Sequence, residues 1–84
     1  MPAELVAFSS NVVREERFVI CKKNAETYEV LNGHRDPNDQ DFYATREEAF
    51  EFFNAQDYAF QKTKSVYRIC FTDHGVFAQP IEED

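Results

Sequence analysis

The spacing of apolar and polar side chains along the chain predicts two β-hairpins separated by one helix. Residues 17–22 and 65–72 are rich in β-branched and aromatic side chains, so both are predicted as strands. Residues 27–31 are predicted to return from the first strand, and residues 76–79 from the second. Each pair then forms an antiparallel hairpin. Residues 4–8 add an optional further strand or an apolar arm.

Turn-forming residues mark where these strands end. Asn32-Gly33 is a strong turn signal after the first hairpin. Residues 36–41 are then predicted to be a loop, because proline and Asx residues disfavour regular structure. Asp73-His74-Gly75 is predicted as a three-residue hairpin loop with Gly75 in the left-handed position. Pro80 closes the last strand, since proline cannot donate to a sheet.

One helix is predicted to begin after Thr45. The hydroxyl oxygen of Thr45 can accept from the N–H of Glu48, and the Glu48 carboxylate can accept from the N–H of Thr45, which makes a capping box. The helix then runs from about Arg46 to a residue between Ala55 and Phe60. At helical spacing its core side consists of Ala49, Phe53, Gln56 and Phe60, flanked by Phe50 and Phe52.

These elements predict an α+β domain in the order β-β-β-α-β-β. A single antiparallel sheet of four to five strands carries one helix on one face, and 1–84 is one domain with a frayed acidic tail at 81–84. In broad layout the chain resembles small bacterial domains of unknown function with an aromatic-x-Thr-x-x-Glu-Ala helix start between two hairpins. The matching residues are Tyr43, Thr45, Glu48, Ala49 and Gly75. They belong to capping and turn chemistry, so the resemblance implies a layout and no function.

One helix covers only one face of a sheet, and the second face is also predicted to be apolar. The side chains assigned to it are Val19, Cys21, Leu31, Val66, Cys70 and Phe77. Such a face needs a cover. The N-terminal segment, with Leu5, Val6, Phe8, Val12 and Val13, is one candidate, and a second copy of the chain in a homodimer or another partner is the other.

Charge narrows the classes of partner. The chain of 84 residues carries a net charge of −7, a field that opposes direct nucleic-acid binding and anionic membranes and attracts basic protein surfaces. No apolar run approaches the length of a membrane span, and the first residues lack the features of a signal peptide, so a cytoplasmic location is expected. Residues 36–57 hold seven acids against Arg46 alone, a net −6.

This acidic band is the predicted partner-binding site. Glu47 and Glu51 lie one helical turn apart on the exposed side, a like-charge pair that capping does not require. The residues assigned to the site are Asp36, Asp39, Asp41, Glu47, Glu51 and Tyr58. The expected function is a small acidic non-enzymatic module that binds another protein, one form being an inhibitor that occupies a basic surface. A solvated helix face that keeps the protein soluble and a homo-oligomeric accessory domain are the alternatives.

Other chemistry is not expected from the sequence. Cys21, Cys70, His34 and His74 lack the spacing of zinc ligands, so no metal or other cofactor is predicted. Arg68 lies on the same strand face as Cys70 and could stabilise a thiolate, but no base is near it in sequence. Both cysteines are therefore predicted to be core thiols, and no enzymatic activity is predicted.

Overall fold

A computed structural model of the chain describes residues 12–83. The elements in chain order are β1 (Val13–Lys22), α1 (Thr27–Leu31), α2 (Arg46–Asn54), α3 (Tyr58–Thr63), β2 (Lys64–Thr72) and β3 (Gly75–Ile81). Over this range the fold is α+β with one antiparallel sheet, as predicted, and β2 is the central strand between β1 and β3. None of the helices formed by residues 12–83 has the length and apolar character needed to cross a membrane.

The predicted number and order of elements is wrong over this range. The sheet has three strands where four to five were predicted, and three helices replace the single one, giving the order β-α-α-α-β-β. The strand predicted at residues 4–8 lies outside the described residues.

Residues 27–31, predicted as a strand, form the helix α1 instead. The Glu29 carboxylate accepts from the N–H of Glu26 at 3.0 Å and caps the first turn, while Asn32, with φ 48°, ends the helix in the left-handed conformation. The neighbours Val30 and Leu31 are both buried. Adjacent side chains point to opposite faces of a strand, so only the helix directs both into one core.

The first face of the sheet packs against α1. Tyr67, Ile69 and Phe71 of β2 form one buried cluster with Val30 and Leu31. The buried Tyr67 hydroxyl donates to the carbonyl of Lys22 at 2.6 Å and accepts from the N–H of Ala25 at 3.1 Å, so it is fully partnered. This single side chain fixes the turn that leads from β1 into α1.

The second face packs against α2. Phe18 of β1 and Val66 of β2 form a buried cluster with Ala49 and Phe50, and Ala49 has no exposed surface. Full burial of a phenylalanine or valine contributes about 1.5–3 kcal/mol. This cluster anchors α2 to the sheet.

The six apolar residues predicted to share the second face of the sheet do not all lie on it. In the observed register Val19 lies opposite Tyr67, so Val19 and Cys21 belong to the first face and pack against the α1 cluster with Leu31. Val66 belongs to the α2 cluster. Of the assigned residues, Cys70 and Phe77 remain beyond both clusters, and Phe77 is exposed.

The predicted long helix is divided into α2 and α3. Ala55 is the C-cap of α2, and the Asp57 carboxylate accepts from the N–H of Phe60 at 2.9 Å to begin α3. The Gln61 amide donates to the carbonyl of Gln56 at 2.8 Å and holds the corner. Phe53 and Phe60, predicted to share one helix face, come from separate helices with ring centroids 6.1 Å apart.

The two edges of the sheet are partly covered. At the β1 edge, Phe18 and Tyr43 exchange two backbone hydrogen bonds of 3.0 and 2.7 Å. At the β3 edge, the N–H of Ala78 donates to the Thr27 hydroxyl at 3.4 Å. Pro80 lies two residues further along the same edge and has no N–H to present. The β2–β3 hairpin has a two-residue loop, since Thr72 pairs with Gly75, where three residues were predicted.

Candidate functional site

Helix α2 presents carboxylates on its solvent side. The Thr45 hydroxyl accepts from the N–H of Glu48 at 3.2 Å, which confirms that half of the predicted capping box. Within residues 12–83 the reciprocal bond is not formed, and no cationic side chain pairs with Glu47, Glu48 or Glu51. All three residues are exposed. They form a negative surface that the described part of the chain does not neutralise.

Two aromatic rings lie beside these carboxylates. Phe52 is 46% exposed, and its ring centroid is 6.2 Å from that of Tyr43. The Phe60 ring meets Phe52 edge-on at 6.3 Å. The backbone bonds between Tyr43 and Phe18 fix the position of Tyr43 at the sheet edge. Phe52 is therefore supported by its neighbours although nearly half of it faces solvent.

These side chains line a groove, which we call the aromatic–acidic groove. It has a volume of about 470 Å³, and its lining residues are Tyr43, Glu48, Glu51, Phe52 and Ala55. Glu48, Glu51 and Phe52 of α2 and its C-cap Ala55 follow the three- and four-residue spacing that places side chains on one helix face. No basic residue of the described chain contributes to the lining.

A larger groove of about 780 Å³ opens on the other side of the α2 N-terminus, between Glu47 and Arg68. Its charges are mixed and largely matched within the chain. The Arg68 Nε donates to Glu16 at 2.6 Å, and Arg46 donates to the backbone carbonyl of Glu82. This groove consequently offers less unbalanced charge than the aromatic–acidic groove.

The loop acids of the predicted site have structural partners. Asp36 accepts from the N–H of Asn38 at 2.9 Å, and Asp39 accepts from the N–H of Asp41 at 3.0 Å. The pKa of the Asp39 carboxyl is lowered, first by the Asp41 N–H and then by His34. These bonds shape the loop.

His34 lies between two carboxylates. Its Nδ1 is 2.7 Å from Asp39 and its Nε2 is 2.8 Å from Asp41. The three residues have the chemistry of divalent-metal ligands, and their ligand atoms lie within 4.8 Å of one another. However, the carboxylates approach opposite nitrogens of the ring. The Nδ1 contact with Asp39 has the geometry of a hydrogen bond, and the Nε2 contact with Asp41 is equally short, so His34 bridges the two carboxylates.

The signal for this bridge is present in the sequence as His34, Asp39 and Asp41, but spacing rules for zinc ligands do not find it. It depends on a loop conformation fixed by distant contacts. Arg17 of β1 donates from Nε to the carbonyl of Pro37 at 2.8 Å, and Phe42 meets Phe71 edge-on.

Tyr58, the last predicted site residue, begins α3 and is 78% exposed. The Lys62 ammonium lies 5.9 Å from the centre of its ring, a distance compatible with a cation–π contact. The ring thus already has a cationic neighbour.

Cys70 does not have the environment of a reactive thiolate. Burial raises the pKa of its thiol, and the lowering effect of Arg68 is opposed by Glu16, with which Arg68 is paired. Cys21 and Cys70 are free thiols on opposite faces of the sheet. The thiol of Cys70 is thus protonated at neutral pH.

The six predicted residues consequently fall into three groups. Asp36, Asp39 and Asp41 shape the loop around His34. Glu47 and Glu51 lie on α2, whereas Tyr58 lies on α3.

Comparison of the chain with family models, with curated proteins and with solved structures gave no match. Glu48, Phe52 and Tyr43 belong to the candidate surface but were assigned only to capping and packing in the sequence.

Proposed function

We propose that this protein is a small non-enzymatic binding module that docks on a basic surface of another protein through the exposed side of α2. The observation that carries the proposal is the set Glu47, Glu48 and Glu51, which has no cationic partner among residues 12–83. Repulsion between Glu47 and Glu51 costs about 0.2–0.5 kcal/mol in an isolated helix. A basic partner would relieve that repulsion.

The exposed Phe52 supports an interface rather than a merely solvated face. Solubility requires charge and gains nothing from a phenylalanine that is 46% exposed. Interfaces commonly combine an aromatic anchor with a polar rim. Phe52 beside Glu48 and Glu51 has this arrangement.

We centre the proposed interface on fewer residues than the sequence suggested. The loop acids and Tyr58 already have contacts within the chain, so we assign them to the rim. The centre of the proposed interface is α2, and the net charge of −7 steers a basic partner towards the molecule. An inhibitor that covers a phosphate-binding surface is one form of this function.

A charge-reversal pair tests the proposal. E47K/E51K changes two carboxylates of the proposed centre, and E15K/E26K makes the same change in net charge at exposed acids of β1 and the α1 N-terminus, away from α2. The probe is a fluorescent glycine–serine peptide carrying several arginines, and binding is followed by anisotropy at low and high salt. We expect E47K/E51K to weaken binding about tenfold or more, from lost attractions and new repulsions of about 0.2–1 kcal/mol each.

The matched control decides the outcome. Should E15K/E26K weaken binding as much as E47K/E51K, the peptide responds to net charge alone and α2 is not the docking surface. Binding that does not fall with salt would also contradict an electrostatic interface. Circular dichroism of each variant establishes that the fold is retained.

A second candidate is self-association through the second sheet face. Phe77 of β3 lies on this face and is 49% exposed, and its pairing partner Cys70 on β2 is half-buried. Light scattering at increasing concentration, with F77S as the comparison, tests it. A wild-type protein that stays monomeric at tens of micromolar removes this candidate.

A further inference from the structure

We propose that the aromatic–acidic groove is a receptor for an arginine side chain of the partner, and this inference rests on the function proposed above. The groove combines two ring surfaces, Tyr43 and Phe52, with two carboxylates, Glu48 and Glu51. Each type of group attracts a cation. Their combination around one recess specifies a cation with apolar surface.

The aromatic rings supply the first part of the recognition. A guanidinium placed over a ring face is attracted by the negative charge of that face. The rings of Tyr43 and Phe52 are inclined by 37° with centroids 6.2 Å apart, and Phe52 is open to solvent. Burial raises the pKa of the Tyr43 hydroxyl, so this ring adds no charge of its own. The same helix already carries one contact of this type, with Arg46 Cζ 5.2 Å from the centre of Phe50.

The carboxylates supply the second part. Glu48 and Glu51 are three residues apart on α2, which places them on one side of the helix. An apolar side chain covering Phe52 would remove water from these acids without replacing their hydrogen bonds, which is unfavourable. An arginine can stack its plane on the ring while its N–H groups reach the carboxylates.

Lysine fits the same groove less well. Its ammonium is a compact, strongly hydrated charge that cannot stack as a plane or form the two-pronged bond to a carboxylate. The groove therefore predicts a preference for arginine and not merely for positive charge. Tyr43 and Phe52 are held in place by Phe18 and Phe60 before binding, so little ordering is needed when the partner arrives.

The test compares three forms of one glycine–serine peptide, in which a central residue of the basic segment is arginine, lysine or citrulline. Wild-type protein should bind the arginine form about fivefold more tightly than the lysine form, the size expected for a stacked, partly exposed cation. F52A should abolish this preference. F77A is the matched control, because Phe77 is 49% exposed and Phe52 46%, and it should retain the preference.

A second variant protects the test against misfolding of F52A. E51Q keeps the shape of the groove, removes one carboxylate and should reduce the arginine preference by at least half. Backbone amide shifts on addition of the arginine peptide should be largest around residues 43–55. Equal affinity of the wild type for arginine and lysine peptides, or a preference that survives F52A, overturns the arginine receptor.

The two proposals fail differently. Glu47 lines the larger groove and not the aromatic–acidic one, so E47K reports on general electrostatic docking. If E47K weakens all charged peptides but arginine is not preferred, the docking function stands and the receptor does not. If neither E47K nor F52A alters binding, α2 is not the interface and both proposals are wrong.

Discussion

Removing the Tyr67 hydroxyl should destabilise the protein by about 2 kcal/mol, because two backbone groups would lose their partner. Tyr67 is 1% exposed, and its hydroxyl donates to Lys22 O at 2.6 Å and accepts from the N–H of Ala25 at 3.1 Å. Each orphaned buried group costs about 1–3 kcal/mol. Both groups lie near the surface, at the turn after β1, so we take the lower value for each, about 1 kcal/mol.

The assay is urea and thermal unfolding of Y67F followed by circular dichroism. A loss of about 2 kcal/mol lowers the melting temperature of a domain this size by about 8–16 °C. Y28F is the matched control, since Tyr28 is 69% exposed, and its stability should stay within about 0.5 kcal/mol of wild type. A Y67F protein as stable as Y28F would refute the role of this hydroxyl and with it the way α1 is joined to the sheet.

Two further predictions concern the packing of α2 and the stability of the fold at low pH. A49L should destabilise the protein by about 1–3 kcal/mol in urea unfolding. The reason is that Ala49 is fully enclosed between α2 and the sheet, so a larger side chain must displace its neighbours. An unchanged unfolding midpoint would show that α2 packs less closely on the sheet than described. The carboxyl pKa values of Asp39, Glu29 and Asp73 are lowered, chiefly by the N–H of Asp41, the N–H of Glu26 and the Arg14 side chain respectively. A carboxyl whose pKa is lower in the folded state than in the unfolded state stabilises the fold at any pH above its unfolded-state pKa. This stabilisation is lost as the pH falls through the folded-state pKa, so stability should decline below about pH 4. D73N should make this decline less steep, and an identical acid profile would contradict the assignment.

Local chemistry predicted the strands near 17–22 and 65–72 and the helix start at Thr45, because those signals act within a few residues. It failed at residues 27–31, where Thr27, Val30 and Leu31 have the composition of a strand. Two signals for the helix were present nearby: Glu29 three residues after Glu26, and Asn32, which can end a helix as readily as a hairpin strand. Burial of Val30 and Leu31 together decided between the alternatives, and that burial depends on β2, more than thirty residues away in sequence.

The candidate site was also predictable only where local signals determine it. The exposure of Glu47 and Glu51 follows from helical spacing, and it is observed. The groove beside them could not be predicted, since it needs the Tyr43 ring, whose place is fixed by backbone bonds to Phe18, a partner distant in sequence. The partners of Asp39 and Asp41 likewise required the loop to bring His34 between them.

The partly covered sheet edges have a consequence for the behaviour of the protein in concentrated solution. An open strand edge is a template on which a strand of another molecule can add, which is a route to fibrous aggregates. Tyr43 occupies the backbone groups of Phe18 at one edge, while Thr27 and Pro80 leave few donors at the other. Growth by strand addition is therefore disfavoured at Phe18 on one edge and around Ala78 and Pro80 on the other.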